Sequence, residues 1–183
     1  MISKKKIAVG LAAAASIVLI GGSALSAGPA SATDALACTV TGSVTVDGAG
    51  ITNAVPGTAT TGHFNSTTLS CKGTGAGNGD WNVGADFSSA SENCAADAAG
   101  AGNFNGGSGP GGLSVSGGHF DFTRVGTAVH VRGNVNTSAG NYAFVASLVF
   151  LPSNGVCANP ALNSGGTTAA DIAAGSTAVV YQL

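Results

Sequence analysis

Cys38-Thr-Val-Thr-Gly-Ser-Val-Thr-Val46 and Val129-His-Val-Arg-Gly-Asn-Val135 alternate apolar and polar residues almost one for one. A period of two marks a half-buried strand, because successive side chains of an extended backbone point to opposite sides. In the first stretch Cys38, Val40, Val44 and Val46 share a face against Thr39, Thr41, Ser43 and Thr45. In the second the valines face inward, with His130, Arg132 and Asn134 outward.

Working outward, Trp81, Val83, Ala85 and Phe87 repeat the pattern, and a strand over 63–71 puts Leu69 and Cys71 on one face. Leu113 and Val115 alternate as far as Gly117-Gly118. There Phe120 and Phe122 take over the apolar phase, which predicts a bulge or tight bend at the glycines. A turn over Val125-Gly126-Thr127 then predicts a hairpin in which Asp121 faces His130. Residues 142–151 are apolar at nearly every position, so this strand is expected to be buried on both faces and ended by Pro152. A last strand covers 177–183. Pro56 makes 51–60 an edge strand or loop.

Ser89-Ala-Ser-Glu92 has capping-box spacing before an Ala-rich run, which predicts a two-turn helix carrying Cys94 and ending near Ala99. A further helical turn is expected near Thr168–Ala174. Seven of the thirteen residues from Gly100 to Gly112 are glycine, the composition of a flexible surface loop. With one Glu and one Met in the chain, helix formers are scarce. The fold class is all-β: an antiparallel β-sandwich or barrel of about seven to nine strands, with one short helix and two disulfides.

The first residues carry an address. Lys4, Lys5 and Lys6 precede an apolar run from Ile7 to about Ile20, and small residues lead to Ala30-Ser31-Ala32. This is the pattern of a signal peptide over 1–32, cleaved after Ala32, leaving one secreted domain over 33–183. The apolar run is too short for a membrane span. A lipid anchor on Cys38 does not fit, since Ala35 stands where a lipobox has Leu and Cys38 lies far beyond the apolar run. The expected location is extracellular, with cell-wall association open and no stable membrane insertion after cleavage.

The mature segment holds Lys72, Arg124 and Arg132 against eight acidic residues, a net charge of −5. Phosphate binding needs clustered cations, so nucleic acid is not an expected partner. Cys38, Cys71, Cys94 and Cys157 all lie in the mature segment and contain no C-x-x-C pair. An even number in an exported chain predicts two disulfides rather than zinc or redox chemistry. Of three connectivities, Cys38–Cys71 with Cys94–Cys157 is favoured, the first joining inward positions of two strands and the second tying the expected helix to the sheet.

Phe122-Thr-Arg124-Val-Gly126, Val131-Arg-Gly133 and an apolar strand ending Phe150-Leu-Pro152 before Cys157 resemble the closing half of small secreted actinobacterial β-proteins of unknown function. The resemblance spans the last third of the mature chain. It implies an exported, disulfide-bonded β-fold and transfers no active site.

No catalytic, metal or cofactor motif has its required context, so no catalytic, cofactor-binding or metal residues and no cofactor are expected. Gly107-Ser-Gly109-Pro-Gly-Gly112 matches G-x-G-x-x-G, but Pro110 interrupts it and a strand follows instead of a helix. Gly75–Asp80 resembles a calcium-binding repeat, yet it occurs once, with Asn82 where an apolar residue belongs. His63, His119 and His130 with Asp121 are the only imidazole–carboxylate set with metal-ligand chemistry, and a cross-strand Asp–His ion pair explains it more simply. There is no G-x-S-x-G elbow, and Glu92 is committed to the capping box. Trp81, Tyr142, Phe144 and Phe150 read as core. The expected function is a non-catalytic extracellular or cell-surface interaction module with an unknown extracellular or cell-wall partner. The alternative is a carrier of a small apolar ligand in a barrel cavity, and the third reading is a secreted hydrolase.

Overall fold

The computed structural model describes residues 35–183 except Ala96, Pro160 and Asn163, so the segment read as a signal peptide lies outside the described residues. Nine strands form one antiparallel sheet. They are β1 (Ala35–Val46), β2 (Thr58–Lys72), β3 (Gly79–Glu92), β4 (Ala98–Ser108), β5 (Ser114–Val125), β6 (Ala128–Thr137), β7 (Gly140–Pro152), β8 (Ala169–Ile172) and β9 (Thr177–Gln182). A single helical turn, α1 (Gly155–Ala158), follows β7.

Each strand from β1 to β7 pairs with the next. β8 and β9 run end to end between β7 and β1, β9 bonding one half of each and β8 the other. Together they make one interrupted stave, and the sheet closes as an eight-stave up-and-down barrel. Closure removes the free edges that an open sheet presents to other chains.

Alternation then sends one face of every strand inward. Leu36, Cys38, Val40, Val44 and Val46 of β1 are buried, as are Trp81 and Ala85 of β3 and Val129, Val131 and Val135 of β6. Phe64, Phe104, Phe120 and Phe144 form a chain of edge-to-face and tilted ring contacts inside. The phase change at Gly117-Gly118 is present as a register shift between β5 and β6, with Val115 inward before it and Phe120 and Phe122 after it.

Four expectations are corrected. The Gly-rich loop is largely strand β4, because its inward glycines leave room for rings on the neighbouring strand. Gly100 pairs with Phe122 and Gly102 with Phe120, and a Cβ on Gly102 would lie 2.2 Å from Phe120 Cζ. The helix over 89–99 does not form: β3 runs to Glu92, and Ser89 Oγ donates across the sheet to Ala99 O instead of capping a turn. The helical turn near Thr168–Ala174 is β8. β7 is buried on one face only, with Tyr142, Phe144, Ala146 and Leu148 inside and Val145, Val149 and Leu151 exposed, since a single-layer barrel covers one side of each strand.

Both favoured disulfides form. Cys38 and Cys71 are directly opposed on β1 and β2 at one end of the barrel. At the other end Cys94, in the β3–β4 connection, joins Cys157 on α1, so the short helix belongs to Cys157 and not to Cys94. In the chain-entropy model each is worth about 3–4 kcal/mol.

Candidate functional site

The barrel interior is incompletely filled. A cavity of about 80 Å³ occupies its middle, walled by Val40, Leu69, Val83, Phe104 and Ala146 among others, with only apolar surface exposed to it. A second, of about 110 Å³, lies toward the Cys94–Cys157 end and is lined by Phe122, Val129, Glu92 and Arg124. Phe64 borders both, its ring packed against Phe87, Phe120 and Phe150. A water takes up about 30 Å³ of liquid, and an apolar cavity of about 150 Å³ can stay dry and bind benzene. Each space is thus larger than one water and smaller than that benzene-binding cavity.

The two cavities hold their polar groups differently. At the second, Arg124 donates from Nε and Nη2 to Glu92 Oε2, at 2.9 and 2.8 Å, from Nη1 to Gly126 O at 2.7 Å, and from Nη2 to Asn93 O. This buried pair is fixed by a planar fork and carbonyl acceptors. In the first cavity the wall includes Thr67, which is 5% exposed. Its Oγ1 has no hydrogen-bond partner among the described residues; Tyr142 OH is in the same state, but Tyr142 does not line either cavity.

Thr67 faces inward because of a bulge. Phe64 pairs with Ala85 and Thr67 with Val83, so Asn65 and Ser66 together oppose Gly84 alone, one extra residue on β2, and Ser66 adopts φ 47°. The inward phase thereby passes from Phe64 to Thr67, Leu69 and Cys71. Neither Thr67 nor the Glu92–Arg124 pair stood out in the sequence. Phe64 and Leu69 are both apolar at an odd separation, a phase conflict that signals a bulge between them.

The imidazoles stay apart on the outer wall. His63 lies between Asp86, 2.6 Å from Nδ1, and Asp47, 3.2 Å from Nε2. The bond to Asp86 raises the His63 pKa above its ordinary value, with the Asp47 charge adding to the effect, and His63 in turn holds Asp86 below the usual carboxylate range. His119 meets Asn103 and Asp121, and His130 meets Ser147. Asp121 faces Arg132 rather than His130, because the hairpin turn holds two residues, Gly126 and Thr127, between paired Val125 and Ala128. No group of three His, Cys, Asp or Glu suited to a metal occurs among the described residues. Ser147 Oγ and His130 Nδ1 are 3.0 Å apart, a nucleophile–base spacing, yet both are exposed, and neither lines either cavity.

Gly75–Gly77 lies in the β2–β3 turn, where Trp81 Nε1 donates to Gly77 O. Gly107–Gly112 ends β4 and forms a 3-10 turn whose Gly109 abuts Trp81. Among the described residues no helix is long and apolar enough to cross a membrane. Comparison with protein-family models, with curated proteins and with solved structures finds no match to this chain.

Proposed function

We propose that this chain is an exported, non-catalytic β-barrel that carries a small apolar ligand inside the barrel. The observation that carries the reading is the unfilled central space of about 80 Å³ with purely apolar exposed surface. Eight staves leave an interior just wide enough to be filled by side chains or to hold one small ligand. Inward glycines at 62, 100, 102 and 133 lie under Phe87, Phe122 and Phe120 and do not themselves line that space. Cavity size limits the ligand to a single ring or short chain, below the ~300 Å³ at which drug-sized pockets begin. Export rests on the 1–32 pattern and on two disulfides, which suit an oxidising compartment. The outer wall carries His63, Asp86, Asp121 and Arg132, the reverse of a membrane barrel, whose apolar band faces lipid.

Benzene titrated into the oxidised mature protein should give saturable methyl NMR shifts at Val40, Leu69, Val83 and Ala146. Native mass spectrometry of protein from its producing culture should show a bound small molecule. Unshifted methyls at benzene saturation would remove this reading.

One observation favours a second reading, an extracellular interaction module: Val145 and Val179 oppose each other on the outer wall, 52% and 45% exposed. On that reading Val145→Asp with Val179→Asp stops the protein sedimenting with cell-wall fragments and leaves benzene uptake unchanged. Equal sedimentation of the double variant and the parent would exclude it.

A further inference from the structure

We infer that Phe64 sets the size of ligand the barrel accepts: its ring is a movable partition, and a single apolar ring binds in the central cavity when Phe64 turns into the second one. The inference rests on the carrier reading and deepens it. Neither cavity alone matches the space of about 150 Å³ that takes up benzene, so a ring-sized ligand needs free volume from both.

Phe64 stands where that volume is divided. Among the described residues it alone lines both cavities. It pairs with Val44 of β1 and Ala85 of β3, both buried, so its side chain points into the barrel. On one side its ring meets Phe120, in the wall of the central cavity, at 5.9 Å between centroids. On the other it meets Phe87 at 5.5 Å and Phe150 at 6.0 Å, both in the wall of the second cavity.

The ring also has room to turn. In a close-packed core an aromatic side chain is held on every side, and Phe120 and Phe122, 2% and 8% exposed, are of that kind. Phe64 points inward too, yet it is only partly buried and has empty space on two sides. Turning it toward Phe87 and Phe150 creates no volume; it moves free volume from the second cavity to the central one. The turned ring keeps Phe87 and Phe150 as partners and gives up Phe120.

The ligand class follows from what is vacated. An aromatic ring leaves Phe120, and an uncharged aromatic ring is the ligand that restores the lost edge-to-face contact. A charged group would find no partner, because only apolar surface is exposed to the central cavity.

Ala170 supplies the test, since it lines the second cavity and not the central one, on β8 opposite Val44. Ala170→Leu fills the room into which Phe64 turns. Benzene dissociation constants are measured by NMR titration of the oxidised mature protein for the parent, Ala170→Leu, Phe64→Ala and the double variant. Ala170→Leu should weaken benzene binding about tenfold without touching the ligand, the scale of an overpacking cost. In Phe64→Ala no ring has to turn, so benzene should bind more tightly than to the parent, and Ala170→Leu should then cost far less. A crystal of the parent with benzene, which does not depend on Phe64→Ala folding, should show the ligand against Phe120 and the Phe64 ring turned toward Phe150. If benzene does not bind the parent, the carrier reading fails. If it binds with the same Kd in Ala170→Leu, or with the Phe64 ring still against Phe120, the partition alone is overturned.

Discussion

Arg124 and Thr67 sit at two levels of one barrel interior, and their polar atoms are treated in opposite ways. Arg124 reaches into the cavity nearest the Cys94–Cys157 bridge, where its guanidinium is held by Glu92, Asn93 and Gly126. Thr67 stands in the wall of the central cavity with its hydroxyl covered and unmet. A buried charge is tolerated only when paired, so the first arrangement is what stability alone demands. Stability alone would not keep the second. The satisfied group belongs to the architecture of the barrel end, and the unsatisfied one is a hydroxyl covered by packing alone.

The largest effect should come from breaking the satisfied end. Arg124→Met leaves Glu92 buried without its cation and should cost about 3–5 kcal/mol in urea unfolding. Adding Glu92→Met should recover most of that loss; if the double variant is no more stable than the single, Glu92 is not the group left stranded. Next comes the glycine–phenylalanine contact between β4 and β5. Gly102→Ala drives a methyl into Phe120 and should cost about 1–3 kcal/mol, despite the higher strand entropy cost of glycine. A variant as stable as the parent would mean the glycine–phenylalanine layer has slack. At the unsatisfied end the sign reverses: Thr67→Val should stabilise by about 1 kcal/mol, seen as a Tm rise of about 2–4 °C. A drop in Tm would show that the hydroxyl is bonded after all.

The smallest effect lies on the outer wall. The folded-state pKa of His63 is raised, so its contribution is full below the unfolded value near 6.5 and is lost as pH rises through the folded one. Asp86 is depressed, so its share is present above the unfolded value near 3.8 and is lost as pH falls through the folded one. The His63 ring resonances should titrate above the ordinary histidine range, and Asp86→Asn should move that midpoint down. An unmoved midpoint would show that the Asp86 bond is not what raises it.

These regions also differ in how far the sequence discloses them. β1, β3 and β6 are legible because their alternation is local, and the Gly117-Gly118 phase change is legible for the same reason. β4 is not, since Gly100 and Gly102 look like a loop until Phe122 and Phe120 are laid across them from the next strand. Ser89 and Glu92 have capping-box spacing, but long-range partners, Ala99 O and Arg124, take both side chains. Thr67 is hidden by the bulge that turns it inward. Of the candidate site, the apolar walls could be read from periodicity, whereas the cavity between them depends on side-chain packing across staves far apart in the chain.

The central claim is that the barrel encloses an apolar binding space, and xenon tests it without reference to any natural ligand. A crystal of the oxidised mature protein held under xenon pressure should show anomalous density between Val40, Leu69, Ala85 and Ala146, within the central cavity of about 80 Å³. Density confined to the outer wall, with the same interior side chains closed over that space, would contradict the account.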